Sequence, residues 1–426
     1  MLTVSVFLGS LLGAMALGMP IAFALLVCSV ALMVQLSAFD TRIIAESLVN
    51  GADSFPLMAV PFFLLAGEFM NAGGLSRRII DVAVSLVGHW PGGLGYVAII
   101  SAVVMASLSG SAVADTAALA SILVPMMKEA GYNVPRACGL MAAGGIIAPV
   151  IPPSIGFIVF GVAASVSITH LFLAGIVPGL LMGLSLAVTW WWLARSEKVK
   201  PLPRQDWPTR ARTLVRGAWA LGLPVVIIGG LKFGVFTPTE AAVVAAVYAL
   251  LVGMFVYREL KPRQLYAALL AAGKTTGVVM FLVAAAAVSA WLITIADIPA
   301  QMGAMLKPFV EQKTLLMFLM MVLVLIVGTA LDFVPTVLIL TPVLMPIVKQ
   351  AGIDPVYFGV LFIINNAVGL ITPPVGIVLN VVCGVARIDM DTATRGVWPF
   401  LIAETIVLFL LVLFPALVLV PLAWLK

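Results

Sequence analysis

Long apolar runs separated by short polar turns make up almost the whole chain. Many of these runs approach or exceed the roughly 20 residues that cross a bilayer, and the charged residues lie mostly in the turns between them. The clearest examples are 171–193, 217–236 and 275–295. This pattern predicts an all-α polytopic membrane protein.

One apolar unit is interrupted by small and polar residues, and it occurs twice. A shift of 221 residues maps Pro125–Pro153 onto Pro346–Pro374 over 29 positions without a gap. Ahead of this region each copy carries one carboxylate, Asp115 or Asp332, although their offsets differ. In hydrocarbon every backbone N–H and C=O needs a partner, so interrupted helices survive only inside protein or beside water. Paired interruptions in two halves of a chain are typical of a transporter's binding site.

Each copy predicts a re-entrant hairpin followed by a broken helix. The runs 91–107 and 116–127 are too short to cross a core of roughly 30 Å comfortably, so we expect half-length helices joined at a Ser-Gly-Ser tip. The next helix breaks at Pro152-Pro153, and its counterpart breaks at Pro373-Pro374. The other predicted pieces are 137–151, 154–165, 315–327, 335–347, 357–372 and 375–385. The turn after the first hairpin is the more basic of the two, which favours inverted copies with that turn cytoplasmic.

The rest of the chain predicts spans and connecting segments. Two helices are expected in 2–36, broken near Gly18-Met19-Pro20, and an amphipathic interfacial arm in 39–55. Thr237-Pro238-Thr239-Glu240 is typical of a capping box, here opening a helix that runs to Val256. Further spans are predicted at 56–70, 171–193, 217–236, 275–295 and 399–424, with a mixed loop at 297–313.

These elements group into five predicted segments. They are 1–90 with scaffold helices and the arm, 91–170 with the first repeat, 171–313 with scaffold helices, 314–388 with the second repeat, and 389–426 with a C-terminal span. Residues 195–216 carry seven Arg or Lys, and a short basic loop is expected on the cytoplasmic side. The apolar N-terminus lacks a basic leader and is too long for a signal sequence, so we expect it to be retained.

Composition supports a membrane protein and argues against several function classes. The 426 residues are 63% hydrophobic and 10% charged, whereas soluble domains are about 25% charged. The net charge of +5 lies in short loops, where membrane topology places it, so nucleic acid is not an expected partner. The three cysteines lack a CxxC spacing or a His cluster, which favours packed thiols. Without a GxxxxGK[ST] loop, a Ser/His/Asp set or an HExxH motif, we expect no ATP use, no enzymatic catalysis and no cofactor besides a coupling ion.

The interruptions leave main-chain oxygens without helical partners. At 148–153 and 369–374 these carbonyls, together with hydroxyls at the facing hairpin tips, offer the oxygen ligands that a hard cation such as Na⁺ takes. Half-helix N-termini near Ser111 and Thr116 present N–H groups suited to a carboxylate. Asp115 and Asp332 are open to two interpretations, a helix N-cap and support for an ion site, and one residue can do both.

Four motifs follow one another along the chain: Ser107–Thr116, Pro149–Ser154, Phe236–Ala242 and Gly369–Pro374. Together they resemble those of the large membrane subunit of tripartite ATP-independent periplasmic (TRAP) transporters, of the DctM type. The similarity covers essentially the whole chain. Within the family, residues 50–55 and 291–296 resemble the diketogulonate-type branch.

The resemblance implies an inverted-repeat elevator transporter of the ion-transporter superfamily, in a bacterial inner membrane, that imports an organic acid with Na⁺. A small four-helix subunit of the DctQ type would brace the scaffold. A periplasmic solute-binding protein of the DctP type would deliver the substrate, which could be a sugar acid such as diketogulonate, a C4-dicarboxylate or sialic acid. One alternative is a stand-alone Na⁺/carboxylate symporter. A second is an intramembrane enzyme, which the absence of a nucleophile or metal-ligand set disfavours.

The resemblance also implies site residues, carried over by position. One Na⁺ site would use Ser109, Ala148, Ile151 and Pro153 with support from Asp115. The other would use Gly328 or Thr329 with Gly369, Thr372 and Val375, supported by Asp332. The substrate is expected between the first hairpin and the second, at Ser111, Thr116, Pro152 and Pro373.

Overall fold

In the computed structural model, residues 2–425 are described except 198, 200, 299, 302–308, 310 and 330, and this part of the chain contains helices but no strand. The first helices are α1 (Leu2–Ala16), α2 (Ile21–Gln35), α3 (Thr41–Ala52), α4 (Ala59–Ala72) and α5 (Leu75–Val87). The first repeat contains α6 (Gly93–Ser109), α7 (Ala112–Glu129), α8 (Val134–Gly145) and α9 (Ile155–Ala164).

The connecting helices between the repeats are α10 (Ile168–Ala194), α11 (Trp207–Lys232), α12 (Pro238–Leu251) and α13 (Pro262–Ile295). The second repeat contains α14 (Lys313–Gly328), α15 (Phe333–Gln350), α16 (Pro355–Gly369) and α17 (Ile377–Ala386), and the chain ends with α18 (Met390–Leu413) and α19 (Ala416–Leu425). Seven of the described helical segments are long and apolar enough to cross a membrane. The prediction of an all-α polytopic membrane protein is therefore confirmed.

Several predicted boundaries are wrong, and prolines account for three of the errors. Helix α11 begins at Trp207, so the second half of the predicted loop 195–216 is helical, and Pro208 lies in its first turn. Helix α13 begins at Pro262, thirteen residues before the predicted span. Proline suits the first turn of a helix because its missing N–H has no partner there anyway. The predicted span 399–424 is two helices separated at Phe414-Pro415. Most of the predicted loop 297–313 lies outside the described residues.

The two repeated segments share helix bounds as well as sequence. Helices α7 and α15 each have 18 residues and begin 221 positions apart. Helices α8 and α16 begin with the same spacing, and Asn133 and Asp354 cap them through side-chain oxygens. The Pro152-Pro153 and Pro373-Pro374 bonds that follow are both cis.

The repeats pack on each other reciprocally. Helix α7 of the first repeat packs against α17 of the second, and α15 of the second packs against α9 of the first. This exchange makes the two repeats one interlocked body.

Contacts along α18 show that α8 and α16, the equivalent helices of the two repeats, begin toward opposite ends of α18. A Cβ built on Gly396, near the start of α18, would lie against the carbonyl of Pro135, which is at the start of α8. At the other end, the Tyr357 hydroxyl at the start of α16 donates to the carbonyl of Leu411 at 3.0 Å. Gly396 and Leu411 are 15 residues apart on α18, which is about 22 Å at 1.5 Å per residue.

Several basic turns meet at one end of the molecule. Arg78, in the first turn of α5, pairs with Glu259 at 2.6 Å, and Gln205 and Arg216 line the same surface cavity. Arg136, after the first hairpin, pairs with Glu197 after α10 at 3.1 Å. The turn after the first hairpin and the loop that begins at residue 195, both predicted to be cytoplasmic, therefore lie at the same end.

Candidate functional site

A cavity of about 450 Å³ lies where both hairpin tips and both helix breaks converge. Helices α4 and α13 contribute the wall facing the repeats. The lining residues are Leu64, Gly67, Glu68, Ser109–Ala114, Ala117, Pro149, Ile155, Gly156, Thr275, Val279, Asp332–Val334 and Leu370. The N-terminal residues of both α7 and α15 thus face one shared, partly enclosed space.

The tip of the first hairpin turns within two residues. Gly110 takes a left-handed conformation with φ +63°, which residues with a side chain rarely adopt. Ser111 then caps α7 by accepting a hydrogen bond from the Ala114 N–H at 3.4 Å. The Ser109 hydroxyl accepts from the Ser111 N–H at 3.2 Å and donates to Asp115 Oδ1 at 2.5 Å. The N-cap interpretation is wrong for Asp115, because Ser111 occupies the cap position.

Asp115 is buried, and its Oδ2 has no hydrogen-bond partner among the described residues. A buried acceptor without a partner costs about 1–3 kcal/mol, and more when it is charged. The tip therefore holds one oxygen in place and leaves the other available to a cation.

The first break leaves several main-chain oxygens without a hydrogen bond from the described residues. Ser154 caps α9 through the Phe157 N–H at 3.1 Å and donates its hydroxyl to the Pro149 carbonyl at 2.5 Å. The carbonyls of Ala148, Ile151 and Pro153 accept no hydrogen bond from the described residues. These are the three main-chain ligands expected for the first site.

The tip and the break are in direct contact. A Cβ added to Gly110 would lie 2.4 Å from the Pro153 carbonyl oxygen. On the other side, a Cβ on Gly67 of α4 would lie 3.4 Å from Ser109 Cβ. The structure thus places Gly110 beside Pro153 and the preceding residue, Ser109, against α4.

The second hairpin also contacts its break. A Cβ on Gly369 would lie 2.8 Å from the Gly328 carbonyl oxygen, so the two glycines allow the close approach. The hydroxyls of Thr329 and Thr372 donate to the carbonyls of Ile326 at 2.7 Å and Val368 at 2.8 Å. The Val375 carbonyl accepts from Asn380 Nδ2 at 2.9 Å. Gly328 and Gly369 therefore come together, and the carbonyls of Gly369 and Val375 each already accept one hydrogen bond, that of Gly369 from the Thr372 N–H at 3.0 Å.

Asp332 caps α15, as one of the two interpretations predicts. Its Oδ1 accepts from the Phe333 N–H at 2.6 Å, and the side chain lines the cavity. No hydrogen bond among the described residues joins it to Gly328 or Gly369. The 221-residue spacing makes Asp332 the counterpart of Ser111, and Thr336 the counterpart of Asp115.

The expected substrate residues are distributed unevenly. Ser111 lines the cavity, but Pro152 and Pro373 do not, although the nearby Pro149 and Leu370 do. Thr116 is fully buried, and its hydroxyl has no partner among the described residues. It packs so closely on α8 that a Cβ on Gly145 would collide with Thr116 Oγ1.

Sequence reasoning missed a buried amide beside the second hairpin. Asn366 of α16 is 2% exposed, and neither of its amide atoms has a partner among the described residues. Its Oδ1 lies 3.6 Å from the place where a Cβ on Gly328 would be. Polar residues within membrane helices are costly and usually functional, so the Asn365-Asn366 pair in an apolar run was the available signal.

Two glutamates were also missed. Glu68 of α4 lines the cavity. Glu404 of α18 is fully buried elsewhere, where its Oε1 accepts from the Ser185 hydroxyl of α10 at 2.9 Å. Within the described chain no group of three or more His, Cys, Asp or Glu could hold a metal ion. All three cysteines are free, as predicted.

Comparison with known proteins gives consistent results over the whole chain. The family model of the tripartite ATP-independent periplasmic transporter DctM component matches residues 8–417. The 2,3-diketo-L-gulonate TRAP transporter large permease protein YiaN of Escherichia coli K12 is 58% identical over 100% of both chains. The sialic acid TRAP transporter large permease protein SiaM of Vibrio cholerae is 37% identical over 95% of both chains.

A solved structure shares the fold at low identity. The YdaH transporter of Alcanivorax borkumensis, whose crystal structure was described as having an unusual topology, superposes with a TM-score of 0.61 over 88% of this chain and 89% of that one, at 16% identity.

Proposed function

The chain belongs to the DctM family of TRAP transporters, and on that premise we propose that it imports an organic acid together with Na⁺. It is a multi-pass membrane permease, and its relatives are named as transporter permeases rather than as enzymes. The observation that carries the proposal is the single cavity on which both hairpin tips and both helix breaks converge.

The oxygen ligands around the first break fit Na⁺. They comprise the free carbonyls of Ala148, Ile151 and Pro153, the Ser109 hydroxyl and the unpartnered oxygen of Asp115. All are oxygens, as a hard cation requires, and Asp115 supplies the negative charge. At the second break, Gly328, Gly369 and the amide of Asn366 form the corresponding set.

The substrate carboxylate would bind in the cavity beside these ions. The first residues of α7 and α15 line the cavity, and helix N-termini attract anions through free N–H groups and the helix dipole. Bound Na⁺ would neutralise the carboxylates nearby. Anion and cation would therefore stabilise each other's binding, which is the basis of coupled transport.

The two repeats would move as one body against the remaining helices in an elevator motion. Their reciprocal packing, α7 on α17 and α15 on α9, supports this, because neither repeat can shift alone without exposing the other. A small DctQ-type membrane subunit would brace the static helices, and a DctP-type periplasmic protein would deliver the substrate at a bacterial inner membrane. Family membership favours this tripartite assembly over a stand-alone symporter.

For the substrate we propose a sugar acid. The relative at 58% identity is named for 2,3-diketo-L-gulonate, whereas the relatives named for sialic acid are 37% and 34% identical and those named for C4-dicarboxylates 37% and 33%.

The test is uptake by proteoliposomes that contain the chain and its small subunit, with a loaded binding protein outside. We expect accumulation of labelled 2,3-diketo-L-gulonate under an inward Na⁺ gradient without ATP, and little accumulation of sialic acid or succinate. A Na⁺ ionophore should abolish uptake. Uptake that continues unchanged after the Na⁺ gradient collapses would overturn the proposal.

A further inference from the structure

The cavity has an unusual charge for a site that would hold an anion. None of the described residues lining it is Lys or Arg, whereas two, Glu68 and Asp332, are carboxylates. Asp332 already accepts a hydrogen bond as the cap of α15. Glu68 takes part in no hydrogen bond or ion pair among the described residues, so its carboxylate is free to bind a ligand.

Glu68 lies on the cavity wall that α4 and α13 contribute. It belongs to α4, and its neighbour Gly67 packs against Ser109 at the first hairpin tip. Around it the wall consists of Leu64 of α4 with Thr275 and Val279 of α13. Lys274 precedes Thr275, but it does not line the cavity and forms no ion pair with Glu68. The carboxylate therefore faces the space without a neighbouring positive charge.

We propose that Glu68 determines the substrate class, by accepting hydrogen bonds from the hydroxyl groups of a polyhydroxy monocarboxylate and by repelling a second carboxylate. This inference rests on the proposed import function. An acid whose carboxylate binds at the N-termini of α7 and α15 directs its other end across the cavity toward α4. There a hydroxyl donates to Glu68, and hydrogen bonds to a charged acceptor are stronger than neutral ones.

A dicarboxylate meets the opposite situation. Its second carboxylate would face Glu68 in a partly enclosed space with no Lys or Arg in the lining to separate the charges, and like charges at short range repel more strongly there than in water. The carboxyl oxygens also have no proton to donate. One side chain thus favours sugar acids and disfavours dicarboxylates.

The experiment measures selectivity in proteoliposomes with partner subunits. For Glu68→Gln we expect the apparent KM for 2,3-diketo-L-gulonate to rise about tenfold, which corresponds to about 1.4 kcal/mol. We expect the concentration of succinate that halves this uptake to fall at least tenfold, with the Na⁺ concentration for half-maximal uptake unchanged. Glu68→Asp keeps the charge on a shorter side chain, so it should weaken sugar-acid uptake without admitting succinate.

The matched control is Glu46→Gln, an exposed glutamate on α3 that pairs with Arg42 at 2.7 Å and should change none of these values. Unchanged selectivity in Glu68→Gln would overturn the proposal. If the Na⁺ dependence shifted while the selectivity stayed the same, Glu68 would instead be a cation ligand.

Thermal stabilisation of the detergent-solubilised chain by each acid measures the same preference without transport. In wild type we expect the sugar acid to raise the unfolding temperature more than succinate, and in Glu68→Gln we expect this difference to disappear. Stabilisation of wild type by neither acid, or equally by both, would contradict the proposal. Failure of the proposed function itself would be seen separately, because uptake by the wild type would then not depend on Na⁺.

Discussion

Adding one methyl group at Gly110 tests whether the contact between hairpin tip and helix break serves Na⁺ binding. In Gly110→Ala the new Cβ would lie 2.4 Å from the Pro153 carbonyl oxygen, whereas real Cβ contacts are essentially never below 3.0 Å. The carbonyl must therefore move by about 0.6 Å, or the tip must open. The left-handed conformation adds roughly 1–2 kcal/mol for a residue with a side chain.

The expected effect follows from the ligand that is displaced. Losing one contact to a charged group costs about 1.5–3 kcal/mol, which corresponds to roughly a ten- to hundredfold higher Na⁺ concentration for half-maximal uptake. The assay is the initial uptake rate as a function of external Na⁺.

Gly131→Ala is the matched control for Gly110→Ala. Gly131 also has a positive φ, +87°, but no atom lies within 4 Å of the position that a Cβ would take there, so this variant introduces the backbone strain without the collision. If both variants shift the Na⁺ dependence equally, or neither does, the contact has no part in Na⁺ binding.

Three further substitutions separate ion binding from structural support. Ser109→Ala removes the hydrogen-bond donor to Asp115; we expect uptake at low Na⁺ to fall at least tenfold and high Na⁺ to restore it, whereas a loss that Na⁺ cannot restore would indicate misfolding. Asn366→Leu removes a buried amide without partners among the described residues, so without Na⁺ the free energy of unfolding should rise by about 1–3 kcal/mol. The extra stability that Na⁺ gives should shrink. Unchanged stabilisation by Na⁺ would exclude Asn366 as a ligand. Thr237→Ala breaks the capping box with Glu240 and should cost about 1 kcal/mol in unfolding assays, with any change in Na⁺ dependence counting against a purely structural role.

The repeat could be predicted because its constraints are local. Proline, glycine and cap residues fix where helices start and break, and these positions in the first copy recur 221 residues later in the second. The capping box at Thr237 was likewise visible, because its four residues satisfy one another's hydrogen bonds.

The starts of α11 and α13 were misplaced because the prediction began each span at its first long apolar run, although Pro208 and Pro262 mark earlier starts. Pairing Asp115 with Asp332 was also misleading. In the structure, a serine and an aspartate occupy the equivalent cap positions.

The site was less predictable because it depends on packing between distant segments. Nothing local distinguishes Glu68 from a carboxylate at a helix end, since only the approach of α4 to the hairpin tips places it in the cavity. Glu404 is similar, because its burial results from contact between α10 and α18. The Na⁺ ligands taken from the family resemblance stay predictions, with the first hairpin tip beside Pro153 and the carbonyls of Gly369 and Val375 already accepting hydrogen bonds.

The most direct test of the account is a pair of high-resolution maps of the purified chain with its small subunit, one in Na⁺ and one in a large organic cation. We predict a density peak present only in Na⁺, bounded by the Ser109 hydroxyl and the carbonyls of Ala148, Ile151 and Pro153, and a second beside Gly328 and Gly369. Identical maps at both breaks would contradict the claim that the interrupted helices bind Na⁺.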